Sequence, residues 1–112
     1  EVHDAAAIGE IRETENLGLC GFGDGAALAD SGATSIGGRI PVNPSGGLES
    51  KGHPIGATGL GQIFELVCQL RGESGERQVA DARHAIQENG GGAIGLDAAV
   101  TVVTILSRSS RP

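Results

Sequence analysis

Apolar positions along the chain fall into helical and strand spacings. Ile8 and Ile11 share one face of an alanine-rich stretch that runs from Asp4 to Leu17 and stops at Gly18. Asp readily caps a helix start and Gly ends a helix, so residues 4–17 are predicted to be a helix capped by Asp4. Leu60, Ile63, Phe64, Val67 and Cys68 recur at the i, i+3, i+4, i+7, i+8 positions. That spacing predicts an amphipathic helix whose apolar stripe lies in the core, with Arg71 suiting its negative end and Gly72 at C′. Between Ala98 and Leu106, Val100, Val102, Val103 and Ile105 are β-branched and both faces are largely apolar. An interior strand covered on both sides is expected there. Shorter strands are expected over Arg39–Asn43, where Pro41 removes a ladder donor, and over Arg83–Gln87. Ala26–Asp30 has room for one helical turn, and Ser107–Pro112 reads as a polar tail.

Glycine changes this picture. There are 20 glycines among 112 residues, with no regular period. They gather in a turn-rich stretch from Gly18 to Gly38, in residues 43–59, and in Asn89-Gly90-Gly91-Gly92. Aromatic residues make up only 2% of the chain, so the core must come from Ala, Val, Ile and Leu and is thin. We expect one domain over residues 1–112 that is part of a larger unit and leans on a partner or on further chain.

A net charge of −6 argues against a nucleic-acid or anionic-membrane surface. No apolar run approaches a membrane span and no secretory signal opens the sequence. Cys20 and Cys68 lack metal spacing and are expected to be reduced, structural thiols in a cytoplasmic protein. The histidines and acidic residues likewise show no metal-ligand pattern. P-loop and serine-hydrolase signatures are absent.

Candidate chemistry centres on His53, fixed between Gly52 and Pro54 just before the most strongly patterned helix, and on His3. A rigid loop holds an imidazole at a set angle, as nucleophilic catalysis requires. His84 is expected to be an ordinary strand histidine. Glu88 is expected to be a solvated strand-end residue, with an inward-pointing carboxylate base as the alternative.

The run Asn43-Pro-Ser-Gly-Gly-Leu-Glu-Ser-Lys-Gly-His-Pro-Ile-Gly-Ala-Thr-Gly resembles the C-terminal segment of thiolases. Val2-His3-Asp4-Ala5, Leu17-Gly18-Leu19-Cys20, Gln69-Leu-Arg-Gly72 and the Asn89 glycine cluster fall in the same family's order. The His-Asp start is similar to the sterol-carrier-type and archaeal-type acetyl-CoA acetyltransferases. The resemblance implies an α/β thiolase fold, here the C-terminal portion of its second half, with a mixed sheet and packed helices. It implies an acyltransferase of lipid and fatty-acid metabolism that moves acyl groups between coenzyme A thioesters by Claisen condensation or thiolysis. No cofactor is implied beyond the coenzyme A thioester substrate.

By the same resemblance, His53 activates the nucleophilic cysteine and His3 helps hold an oxyanion-hole water. The backbone amide of Gly91 and the neighbouring Asn89 lie at the second oxyanion position. The nucleophilic cysteine of thiolases lies upstream of this region, so a remaining thiolase chain or larger subunit must supply it, within a homo- or hetero-oligomer. The acid/base cysteine is also missing. Common thiolases carry it where Asn89 stands, and the sterol-carrier type where Ala5 stands. Either another group moves the α-proton, or the chain belongs to a silent acyl-CoA-binding or scaffold subunit, or to a carbon–carbon lyase of the superfamily.

Overall fold

The computed structural model describes residues 1–109, so the end of the expected polar tail lies outside the described residues. Four helices precede a hairpin. They are α1 (Ala7–Asn16), α2 (Gly25–Asp30), α3 (Gly47–Lys51) and α4 (Thr58–Arg71), and a short 3₁₀ turn follows at Gly75–Arg77. Strands β1 (His84–Gly91) and β2 (Val100–Ser107) pair antiparallel, from His84 opposite Ser107 to Gly91 opposite Val100. On its other edge, β1 meets the first residue. The Glu1 backbone nitrogen donates to the Ile86 carbonyl at 2.9 Å, and the Glu88 N–H donates to the Glu1 carbonyl at 2.9 Å. Bonds from one residue to partners on either side of Gln87 follow a parallel pattern, so hydrogen bonding around β1 is mixed.

α4 ends as expected, with Gly72 in the left-handed conformation at φ 77°. Its orientation does not follow the apolar stripe. Leu60 and Phe64 are 74% and 69% exposed, while Gln62, Glu65 and Gln69 are buried beside Leu66 and Leu70. The reason is that every buried polar group on this face finds a partner. Gln62 donates to the Glu88 carbonyl at 3.0 Å, and its Oε1 accepts from Gln87 and Asn89, each at 3.0 Å. Glu65 accepts from Gln69 and from Arg77 Nη2 at 2.9 Å. Burial works against the Glu65 charge, but the hydrogen bonds from Arg77 and Gln69 outweigh it and hold the carboxyl below its ordinary range. A satisfied polar face has therefore been buried in place of the apolar one.

Three further expectations are corrected. α1 starts at Ala7 with Ala6 at its N-cap and no side-chain cap. Asp4 instead points at α3, where its Oδ1 accepts from the Leu48 N–H at 2.7 Å. Gly47 is needed there, because a Cβ would collide with the Asp4 carboxylate and its φ of 64° is left-handed. Residues 39–43 form no strand; Ile40 and Val42 N–H groups bond back to the Ala33 and Thr34 carbonyls, both at 2.9 Å. Those short-range bonds consume the donors a sheet would use, and Pro41 has none. Lastly, β2 is not covered on both sides. Val100, Val102, Val103 and Ile105 are all more than half exposed, because among the described residues the helix packed on the hairpin, α4, lies mainly against β1.

Candidate active site

His3 and His53 arrive from opposite ends of the chain segment that builds the site. His3 sits at the close of the stretch held along β1, where its backbone N–H donates to Glu88 Oε2 at 3.0 Å. His53 follows Gly52, whose φ of 98° turns the chain sharply out of α3. Their rings meet edge to face, with centroids 4.8 Å apart and planes at 70°. Together with Glu88, Asn89, Gly90 and Gly91 they line a cleft of about 870 Å³.

Each ring is oriented by a neighbour. The Gly90 N–H donates to His3 Nδ1 at 3.2 Å. A backbone N–H can only donate, so Nδ1 carries the lone pair and the His3 proton sits on Nε2. His53 Nδ1 lies 2.7 Å from Thr58 Oγ1, which in turn donates to the Pro54 carbonyl at 3.1 Å. With its one proton committed to Pro54, the Thr58 hydroxyl receives Nδ1–H of His53, and His53 Nε2 is left as an acceptor. The cleft thus holds one imidazole donor and one imidazole acceptor in contact.

Asn89 is turned toward α4, where its Nδ2 donates to Gln62 Oε1. Gly91 lines the cleft and has open space where a side chain would stand. For Glu88 the expectation of a solvated strand-end residue is overturned, and the alternative of an inward-pointing carboxylate holds. It is 2% exposed and faces the cleft rather than solvent. Burial pushes its carboxyl above the ordinary range, with the charge of Glu13 adding and the His3 N–H bond opposing. Strand alternation explains its direction: Gln87 and Asn89 both meet α4, so Glu88 between them faces the other way. Thr58 and the Gly90 amide were also missed, although Thr58 stands five residues after His53, within the same glycine-proline run.

Other candidates lie apart. His84 is at the far end of β1, with Nδ1 2.9 Å from Ser107 Oγ. Cys20 and Cys68 are free and half-buried, and neither lines the cleft. Among the described residues no group of His, Cys, Asp and Glu has the arrangement of a metal site. No described helix is long and apolar enough to cross a membrane.

Residues 1–108 match the thiolase C-terminal domain-like family, and the chain belongs to that family. Its relatives carry different names. It is 52% identical to sterol carrier protein 2 of Homo sapiens over 102 residues, 91% of this chain and 18% of the relative. It is 51% identical to the acetyl-CoA acetyltransferase of Methanothermobacter thermautotrophicus over 92 residues, covering 82% of this chain and 24% of the relative. It is 44% identical to the benzoylsuccinyl-CoA thiolase subunit BbsB of Thauera aromatica over 79 residues, covering 70% and 20%. The chain therefore spans about a fifth of the length of these relatives. The α/β assignment holds, as packed helices against a small antiparallel sheet.

Proposed function

We propose that this chain supplies the histidine side of an acyl-CoA acyltransferase site, and that the nucleophilic thiol comes from a larger remainder of the protein or from a partner subunit. The observation that carries the reading is the His3–His53 contact inside one cleft, with a donor nitrogen on one ring and an acceptor on the other. His53 Nε2 takes the proton of the thiol and so raises its nucleophilicity. Once protonated, it donates to the oxyanion that forms as the thiolate attacks the thioester carbonyl. His3 Nε2–H holds a water at the enolate oxygen, and the Gly91 amide adjoins the second oxyanion position. Donors placed where charge develops contribute about 3 kcal/mol each at the transition state.

The names of two relatives, an acetyl-CoA acetyltransferase and a thiolase subunit, favour this class of reaction and an oligomer. The substrates are acyl-CoA thioesters, the direction is condensation or thiolysis, and the setting is cytoplasmic lipid metabolism. His53→Ala in the full-length protein is expected to lower thiolytic kcat/KM by about 100-fold or more. A value within about threefold of the parent would remove His53 from the mechanism. A second reading, binding of acyl-CoA without turnover, is favoured by one fact: neither cysteine of this chain borders the cleft. Tight acyl-CoA binding with no acyl exchange would establish that alternative.

A further inference from the structure

The cleft holds one chemical group that the two imidazoles do not account for. Glu88 is 2% exposed, and only Oε2 is engaged, by the His3 N–H at 3.0 Å. Oε1 makes no hydrogen bond among the described residues. Its position is marked by Gly90: a Cβ built there would stand 3.3 Å from Ala98 Cβ, 3.7 Å from Glu88 Oε1 and 3.9 Å from His3 Nδ1. The carboxylate oxygen and the imidazole therefore converge on the same small volume, kept open because residue 90 has no side chain. A buried carboxylate with one oxygen committed and the other free stands beside an imidazole whose proton sits on Nε2.

We propose that Glu88 is the proton-transfer group of this site, removing and returning the hydrogen α to a thioester carbonyl. The α C–H bond breaks and its proton forms an O–H bond on Glu88 Oε1. The C–H electron pair becomes the C=C bond of the enolate, and the carbonyl π pair moves to the thioester oxygen. That oxygen is met by the donor on His3 Nε2, directly or through a water. In the reverse sense Glu88 returns the proton to carbon as the carbonyl re-forms. Burial suits the task, since it strengthens the carboxylate as a base by leaving its charge poorly solvated. The assignment rests on the acyl-CoA site described above, and it names the group that fills the role of the absent thiol at Ala5 and Asn89.

Two assays on the full-length protein separate the assignment from that reading. Exchange of the methyl hydrogens of acetyl-CoA in D₂O needs α-proton transfer. Exchange of labelled CoA into acetyl-CoA needs the nucleophile and the oxyanion donors but no α-proton transfer. Glu88→Gln keeps an acceptor for the His3 N–H. It is expected to lower hydrogen exchange by about 100-fold or more and to lower CoA exchange at least about 10-fold less than that. Unchanged hydrogen exchange, or equal loss of both activities, would overturn the proposal. If the Gln variant does not fold, Glu88→Asp withdraws the same carboxylate by one methylene. It is expected to lower hydrogen exchange alone by about 10-fold or more, and equal rates would again overturn the assignment. A parent protein without hydrogen exchange also overturns it. A parent that exchanges hydrogen but not CoA sinks the acyltransfer reading and leaves the Glu88 comparison standing.

Discussion

Two regions of this molecule reverse the usual arrangement of a small domain. Around residues 1–4, α3 and the inner face of α4 the interior is polar: Glu1, Asp4, Gln62, Glu65, Gln69, Gln87 and Glu88 are each at most 5% exposed. Across β2 and the outer stripe of α4 the surface is apolar, with Leu60, Phe64, Val100, Val102, Val103 and Ile105 more than half exposed. Hydrogen bonds within the chain hold most of the first region together, with Glu88 Oε1 and Asn43 Nδ2 left without a partner among the described residues. The second has nothing comparable among the described residues. The difference teaches that the site is built where the chain satisfies itself, while its greasiest elements face outward.

The strongest way to break this contrast is to isolate the chain. Residues 1–112 alone are expected to self-associate or to bind an apolar dye, since contiguous exposed apolar surface and an open strand edge promote association. A dye-silent monomer with a sharp two-state melt would show that the exposed stripe needs no cover. Within the polar region, Gln62→Leu deletes the bonds to Glu88, Gln87 and Asn89. Leaving those partners unpaired is expected to cost about 2–3 kcal/mol in denaturant titrations of the full-length protein. The matching change on the other face, Leu60→Ser, is expected to move the stability of this domain by under about 0.5 kcal/mol. Equal effects would erase the distinction between the faces.

The smallest effect sharpens the comparison through pH. Burial, followed by the Glu13 charge, raises the Glu88 carboxyl above its ordinary value near 4.5. The folded state therefore holds that proton more tightly than the unfolded state. Its stabilising contribution is full below the ordinary carboxylate value and is lost as pH rises through the raised one. Thermal melts of parent and Glu88→Gln should differ least at low pH, with the variant gaining on the parent toward neutrality. A gap that widens on acidification would contradict the buried-carboxylate picture.

Local signals were enough for α4, its Gly72 stop and the turn at Ala26–Asp30, while the resemblance to thiolases brought His3 and His53 to one site. They failed where partners lie far apart in sequence. The stripe on α4 is the most apolar face of that helix, but Gln62 is drawn inward by residues 87–89, which no helical window contains. Asp4 sits where a cap for α1 would be, yet its carboxylate serves Leu48, 44 positions away. Glu88 reads first as a solvated strand end because the glycines after it read as a turn, whereas β1 runs on through Gly91 and alternation carries the carboxylate into the cleft.

The bond from Gly90 to His3 has one further result. Because a main-chain amide fixes which imidazole nitrogen is bare, the hairpin tip sets the polarity of that ring. Any ligand or neighbour that lifted Gly90 away would free the proton to change nitrogens. The group presented to the cleft would then switch from giving a hydrogen to receiving one, without a single ring atom moving.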